Sequence, residues 1–422
     1  MIFSSLVLGT VLGAASAASR VSYAGSSVLR CRAAERGQLD FLHNLELKND
    51  MNLDFWQEAK NLHSPVDVMV PSQHRAALEA MLLQNKIDCT TMVADVEGLV
   101  QAEQKRNARV HSTSGASYFD SYHDYEDVHA YFDSLAADFP SLAATSSIGN
   151  TYYGKSQKII TMSTDPSAGK PTMWFDGGLH AREWISVATM TYVADFLLRG
   201  YGTNSDATYL LDTFDVIVCP ILNVDGYDYT WTTDRMWRKT LSPNSNSPCN
   251  GTDPNRNWDD HWGVAGSSPM ACSDSYQGPS AASEIEVQNV QNYLYQNKDT
   301  LVGYVNFHSY SQDWMSPWGW TDELPPDYEQ QNGLSAAAVA AIKATHGKTY
   351  EYGPIATTIY PASGSSADYT YDVCGVKYSY GVELRDTGEF GFLLPPEEIV
   401  PSGEEIWAAI VAMGKYIEAN PY

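Results

Sequence analysis

Positively charged residues are scarce in this sequence. Its 422 residues include 26 lysines and arginines against 51 aspartates and glutamates, which gives a net charge of −25 at pH 7. A surface of this sign repels the phosphate backbone of nucleic acids, so nucleic acids are not expected partners. Because 44% of the residues are hydrophobic, the composition favours a large packed interior, and the length favours two domains.

The sequence has no long apolar run beyond its first residues. Residues 1–17, MIFSSLVLGTVLGAASA, are apolar and then small. They predict a secretory signal peptide over residues 1–18, cleaved after Ala17 or Ala18. No later stretch approaches the roughly 18 uninterrupted apolar residues that a transmembrane helix needs. We therefore expect a secreted, extracellular protein that does not insert into a membrane.

No two cysteines are spaced as CxxC, which excludes a zinc ribbon. The six cysteines are widely separated: Cys31, Cys89, Cys219, Cys249, Cys272 and Cys374. An even number in a secreted protein permits full disulfide pairing. The spacing alone leaves the pairs undetermined.

Neither HExxH nor GxSxG occurs, so a thermolysin-type zinc site and a hydrolase nucleophile elbow are both unsupported. The sequence does contain GGLHAREWIS at residues 177–186, where His180 and Glu183 follow the apolar segment PTMWFDGG. The carboxyl end of a strand is where α/β folds place ligands. A histidine and a glutamate supply two metal ligands, and a catalytic zinc site requires a third. Since an isolated HxxE also arises by chance, the metal interpretation depends on that third ligand.

His308 is the best candidate for the third ligand, because it closes the predicted strand TLVGYVNFHSY. His261, in the loop segment WDDHWG, is a second possibility. Glu383 closes another predicted strand, KYSYGVEL. An acid at the end of a buried strand is costly unless it is functional or paired. This stretch alone leaves two interpretations open for Glu383, a general base or an ion pair with Arg385.

The chain divides into two regions with different patterns. In residues 20–109, VSYAGSSVLRCRA and PVDVMVPSQ predict strands, and HRAALEAMLLQNK and VADVEGLVQAEQKRN predict amphipathic helices,. That region predicts a small α+β module. It ends in a basic cluster, residues 105–109, which is either a cleavage site for a trypsin-like protease or a plain linker. From residue 117 onward, apolar strand segments alternate with helical patterns, which predicts an α/β domain with a mixed, mostly parallel, doubly wound sheet and helices on both faces.

Six short motifs follow one another in a fixed order. They are HAREW (180–184), MWRKT (236–240), NRNW (255–258), HSYSQ (308–312), TTIYPASG (357–364) and ELRDTG (383–388). Together they resemble the pancreatic-type (A/B subfamily) zinc metallocarboxypeptidases over residues 117–422. The resemblance implies a hydrolase with one Zn²⁺ per chain that removes residues from the C-termini of peptides and proteins. It also implies a signal peptide (1–18), an activation pro-segment (19–109) and a catalytic domain (110–422).

The resemblance assigns the chemistry to particular residues. His180, Glu183 and His308 are the implied zinc ligands. Glu383 is the implied general base, and Arg238 is implied to stabilise the oxyanion.

Substrate binding is assigned in the same way. The implied carboxylate site consists of Asn255 and Arg256, with Tyr360 closing over it. Further subsite contacts are implied for Arg182, Tyr310 and Phe392.

In the family that the sequence resembles, one position separates enzymes with different preferences for the C-terminal side chain of the substrate. Counting from Tyr360 without gaps, the position that separates A-type from B-type enzymes falls on Ala367. B-type members carry an acid there to bind lysine or arginine. Asp368 is one residue later, where both subtypes are alike. The resemblance therefore predicts an A-type preference for aromatic or aliphatic C-terminal residues.

The pro-segment is implied to be an inhibitory, ferredoxin-like open sandwich joined by a helix to a monomeric enzyme. A trypsin-like protease would remove it near Arg106 or Arg109. A Cys249–Cys272 disulfide is implied, while Cys31–Cys89 and Cys219–Cys374 are further candidate pairs that the family does not require. Two alternatives remain: a catalytically silent binding protein on the same fold, and a regulatory carboxypeptidase that processes propeptides.

Overall fold

The computed structural model describes residues 20–48, 51–59, 61–113 and 115–421. The predicted signal peptide lies outside the described residues. The chain forms a leading module (residues 20–113) and a main domain (residues 115–421). In the described part of the chain, no helix is long and apolar enough to span a membrane.

The leading module begins with a four-stranded antiparallel sheet packed against two helices. Its elements are β1 (Ser27–Arg32), α1 (Arg36–Lys48), β2 (Asp54–Gln57), β3 (Pro65–Val70), α2 (Ser72–Gln84) and β4 (Asp88–Val93). The strand order β2-β3-β1-β4 and the βαββαβ sequence confirm the predicted ferredoxin-like sandwich,. Cys31 and Cys89 face each other in the β1–β4 register and form a disulfide.

A long helix, α3 (Val96–His111), connects the two modules. It begins where the Asp95 side chain accepts a hydrogen bond from the backbone N–H of Gly98, a standard N-cap,. The basic cluster of residues 105–109 therefore lies on the last turns of a helix. Glu103 anchors this helix to the main domain through a buried ion pair with Arg235, at 2.6 Å.

The main domain contains eight strands and nine helices among the described residues. In chain order they are α4 (Tyr125–Asp138), β5 (Ala143–Asn150), β6 (Ser156–Met162), β7 (Thr172–Asp176), α5 (Trp184–Gly200), α6 (Ser205–Thr213), β8 (Asp215–Cys219), α7 (Val224–Thr232), α8 (Ile285–Gln296), β9 (Leu301–Ser309), β10 (Asp313–Ser316), α9 (Tyr328–His346), β11 (Glu351–Pro354), α10 (Ile355–Thr358), α11 (Ser366–Asp372), β12 (Tyr378–Leu384) and α12 (Ile399–Ala419). Short 3₁₀ helices lie at Tyr118–Asp120, Pro254–Arg256, Gly391–Leu393 and Pro396–Glu398.

The eight strands form one sheet in the order β11-β10-β12-β9-β7-β8-β6-β5. Four of its seven strand pairs are parallel, and the four central strands (β12, β9, β7 and β8) all run in one direction, as predicted. Alternate residues of β7 pack on opposite faces: Met173 and Phe175 on the face covered by α5, α9 and α12, and Trp174 on the face covered by α8 and α11. The carboxyl ends of β7, β9 and β12 therefore meet at one edge of the sheet.

The structure contradicts one of the candidate disulfide pairs. Cys249 and Cys272 are bonded, whereas Cys219 and Cys374 are buried free thiols. Both thiols pack in the apolar cluster beneath α8 and α11. Burial raises the pKa of both, to about 12 for Cys374. They serve as small core residues instead of forming a cross-link.

Glu286, on α8, should make the stability of the protein depend on pH. Its carboxyl is buried and accepts a hydrogen bond from Tyr152 N–H at 2.9 Å. Burial raises its pKa from an ordinary 4.5 to about 7. The folded pKa of Glu286 lies above its unfolded pKa. Its contribution to the free energy of unfolding is therefore fully present below pH 4.5 and is lost as the pH rises through 7. Relative to Glu286→Gln, the wild type should lose about 3 kcal/mol over that range. Melting curves at pH 5 and 8 test this prediction, with the exposed Glu323→Gln as control; a constant difference would contradict it.

Candidate active site

The HxxE pair lies in a sharp turn between β7 and α5. The backbone reverses at Gly178, whose φ of 60° and close contact with Val187 leave no room for a larger side chain,. Helix α5 then begins at Trp184. This turn directs both His180 and Glu183 toward the sheet edge where β9 ends, as the sequence predicted.

His180, Glu183 and His308 converge in the buried interior of this edge. Glu183 Oε1 lies 2.8 Å from His180 Nδ1, and Glu183 Oε2 lies 3.1 Å from His308 Nδ1. The two Nδ1 atoms are 3.0 Å apart. Burial raises the pKa of Glu183, but the adjacent imidazoles outweigh burial and hold it below its usual range. Burial lowers the pKa of His308, which favours the neutral imidazole that binds metals,. Two imidazole nitrogens and a carboxylate form the donor set that zinc prefers.

Asp253 is a further residue of this site, for which no role was predicted from the sequence. Its Oδ1 lies 3.1 Å from His180 Nε2, and its Oδ2 accepts a hydrogen bond from Arg238 at 2.9 Å. A carboxylate behind a histidine ligand fixes the orientation of the ring. Asn255 Nδ2 lies 3.4 Å from His308 Nε2. Because Asp253 lies 73 residues from His180 in the chain, only the folded loop reveals this contact.

Glu383 lies on β12 directly beside His308, since the two residues are paired in the parallel β12–β9 register. Its side chain lines the same cavity as His180, Glu183 and Arg238. The alternative from the sequence was an ion pair between Glu383 and Arg385. In the structure, Arg385 forms ion pairs with Glu405, at 2.5 Å, and with Glu398. These two carboxylates, and not Glu383, are the ion-pair partners of Arg385 among the described residues.

A buried guanidinium lies farther along this cavity. Arg256 donates hydrogen bonds to the carbonyl oxygens of Gly266 (2.7 Å) and Asn255 (3.1 Å), and to the Tyr360 hydroxyl at 3.2 Å. Among the described residues, Arg256 forms no ion pair with a carboxylate. A buried guanidinium that lacks a carboxylate partner in the described part of the chain is suited to binding a carboxylate from another molecule.

The wall beside Arg256 is apolar. Met315, Ile355, Ala362 and Ala367 form one packed cluster, and all four line the cavity. Asp368 is turned away from it, since its carboxylate accepts hydrogen bonds from the backbone N–H groups of Gly319 and Trp320 at 2.9–3.1 Å.

The leading module forms part of the cavity wall. Residues 55–57 of β2 and the next residue, Glu58, line it together with His180 and His308, and about 80 Å³ remains between the two modules. A pocket that binds a drug-sized ligand has a volume of roughly 300–1,000 Å³. The remaining space is therefore several times too small for the end of a peptide.

The family resemblance assigns Arg182, Tyr310 and Phe392 to substrate subsites, and all three contact the leading module. Arg182 donates to Asp54 Oδ1 at 2.7 Å, and the Tyr310 hydroxyl donates to Asp67 Oδ2 at 2.6 Å. The Phe392 ring lies 5.2 Å from the ring of Trp56. Tyr310 and Phe392 line the cavity, whereas Arg182 lies behind Phe392, with its guanidinium 4.3 Å from that ring.

Comparison with known proteins identifies the arrangement. The zinc carboxypeptidase family profile matches residues 128–409, and the carboxypeptidase activation peptide profile matches residues 29–103. The chain belongs to the zinc carboxypeptidase family. Human carboxypeptidase A1 is 38% identical over 99% of both chains. Carboxypeptidase B of Astacus astacus is 43% identical over 71% of this chain and 97% of its own length.

Two solved structures have the same fold. Carboxypeptidase A from Helicoverpa armigera superposes with a TM-score of 0.87 at 30% identity, covering 94% of this chain and 99% of the other. Thrombin-activatable fibrinolysis inhibitor superposes with a TM-score of 0.86 at 31% identity and the same coverage. The protein is therefore a metallocarboxypeptidase zymogen that uses one catalytic Zn²⁺ and acts on peptide C-termini, and its His-Glu-His triad is in place.

Proposed function

We propose that the protein is a secreted, monomeric digestive-type procarboxypeptidase that releases aromatic or aliphatic C-terminal residues once a trypsin-like protease has cut it near Arg106 or Arg109. The observation that carries this proposal is one cavity lined by the triad, Glu383, an apolar wall and Arg256, which has no carboxylate partner among the described residues. A catalytically silent binding protein would have no need for this complete set.

The proposed mechanism divides the chemistry among residues around that cavity. His180, Glu183 and His308 hold zinc, which when bound acts as a Lewis acid that activates water and polarises a carbonyl. Glu383 accepts the proton of the attacking water and returns it to the leaving amine. Arg238, which Asp253 holds in position, donates hydrogen bonds to the carbonyl oxygen as negative charge develops on it,.

Selectivity for chain ends follows from Arg256. A substrate with a free C-terminal carboxylate pairs with this buried guanidinium, and Asn255 and Tyr360 complete the site. An internal peptide bond or an amidated C-terminus leaves the guanidinium unpaired, which is costly in a buried site. The enzyme therefore acts as an exopeptidase.

The leading module keeps the zymogen latent by occupying the substrate's path. Residues 55–58 line the cavity, and Asp54 and Asp67 form hydrogen bonds with Arg182 and Tyr310. The ion pair between Glu103 and Arg235 holds the connecting helix in place until cleavage. Proteolysis in the last turns of α3 releases these contacts together.

A second candidate function is release of C-terminal lysine or arginine. The 43% identity with a carboxypeptidase B favours it. The pocket chemistry favours the A-type preference, because the cluster around Ala367 is apolar and Asp368 is bound to backbone amides. Burying a cationic side chain against such a wall without a partner carries a large desolvation cost.

The two candidates predict opposite results with matched substrates. After trypsin treatment, we expect kcat/KM for a peptide ending in phenylalanine to exceed that for the same peptide ending in arginine by at least about 100-fold, since misplaced polar groups cost a few kcal/mol. Ala367→Asp should narrow or reverse this ratio, while its melting temperature and zinc content report on folding. Faster release of arginine by the wild type would refute the A-type assignment.

A further inference from the structure

A second cluster of metal-binding side chains lies behind the substrate pocket. Asp260, His261 and Asp372 each present a ligand atom, and these atoms all lie within 4.8 Å of one another. Asp260 and His261 follow the loop that carries Arg256, and Asp372 is the last residue of α11, the helix that carries Ala367. The cluster thus joins the two segments that form the proposed substrate pocket.

Asp260 is buried, with 7% of its surface exposed. Its Oδ1 lies 2.7 Å from His261 Nδ1, while its Oδ2 has no hydrogen-bond partner among the described residues. Burying a charged oxygen without a partner is costly, and such atoms are rare in native proteins unless water or an ion binds them. Asp372 adds a second carboxylate within 4.8 Å of these ligand atoms.

The conformation of His261 also requires an explanation. Its φ is 45°, in the left-handed region that few non-glycine residues occupy,. The imidazole is stacked on Trp320, with the ring centroids 3.9 Å apart and the planes 5° from parallel. The stack holds the ring with its Nδ1 facing Asp260. A strained backbone that directs a ligand group toward a buried carboxylate is typical of a functional site.

We propose that Asp260, His261 and Asp372 bind a second divalent transition-metal ion, distinct from the catalytic zinc. Two carboxylates and one imidazole, with water in the remaining positions, suit zinc, cobalt or manganese better than calcium, which prefers six to eight oxygen ligands. At metal–ligand distances of about 2.1 Å, the ion would bind His261, Asp372 and the Asp260 oxygen that lacks a hydrogen-bond partner among the described residues,. Its proposed role is to fix the Arg256 loop to α11. This proposal does not depend on which C-terminal residue the enzyme releases.

Trp320 supplies a readout that is independent of activity. Co²⁺ is added to the full-length zymogen with its catalytic zinc in place, and tryptophan fluorescence and bound zinc are both measured. We expect saturable quenching by one equivalent of Co²⁺ while one zinc per chain is retained, and no comparable effect of Ca²⁺. Asp372→Asn and His261→Asn should each weaken Co²⁺ binding at least tenfold. Asparagine at position 261 tolerates the positive φ, which protects the fold.

Asp259→Asn is the matched control, because Asp259 is an exposed acid next to the cluster but not part of it. Its Co²⁺ affinity should equal that of the wild type. The proposal is overturned if quenching does not saturate, if Asp259→Asn weakens binding as much as Asp372→Asn, or if neither cluster variant changes the affinity. Binding of Ca²⁺ in preference to Co²⁺ would also overturn it.

Discussion

Replacement of Glu383 by glutamine should lower kcat of the trypsin-treated enzyme by about 10²- to 10⁴-fold, the usual contribution of a general base. Glutamine has the same shape but cannot accept a proton from the attacking water. Because the carboxylate acts on the reacting atoms and not on substrate binding, KM should change little. Steady-state kinetics with a peptide ending in phenylalanine measure both parameters.

The exposed Glu389 provides the control for this substitution. Glu389→Gln removes the same charge six residues away and should leave kcat unchanged. Zinc content and melting temperature should match the wild type in both variants. If Glu383→Gln retains nearly full kcat with zinc bound, Glu383 is not the base.

Replacement of Arg256 by methionine should lower kcat/KM by about 30- to 4,000-fold. Truncating one partner of a buried charge pair costs about 2–5 kcal/mol, which corresponds to this loss of rate. Methionine fills much of the volume but cannot pair with the substrate carboxylate. The loss should be specific to peptides with a free C-terminus, which a pair of free and amidated peptides of one sequence can measure.

The amidated peptide is the internal control for this experiment. It should be a poor substrate of the wild type, and Arg256→Met should affect it little because the missing interaction is already absent. Arg199→Met, which removes a half-exposed arginine at the end of α5, should leave both substrates unchanged. An equal loss for free and amidated peptides would show that Arg256 does not recognise the carboxylate.

Several parts of this site are predictable from the sequence because they depend on local patterns. An apolar strand followed by two glycines places His180 and Glu183 at a sheet edge. The same reasoning places His308 and Glu383 at the ends of their own strands. Parallel strands bring these ends together, and the observed register puts Glu383 beside His308.

Other parts depend on contacts between distant segments and leave no local signal. Strand β2 has only four residues, DFWQ, without a clear alternation, yet three of them line the cavity. Asp253 orients His180 only because its loop folds back against the sheet edge. The proposed Cys219–Cys374 pair was wrong for a related reason: cysteine count indicates what can pair, but burial in a common cluster does not require a bond.

The most direct test of the account is zinc-dependent release of C-terminal residues from the cleaved zymogen. The purified protein is treated with trypsin, the trypsin is inhibited, and released amino acids are identified before and after complete removal of zinc by a chelator. We expect little release from the uncut protein, sequential release of aromatic and aliphatic residues after cleavage, complete loss on zinc removal and recovery with one equivalent of zinc. Release that persists after all zinc has been removed would contradict the mechanism.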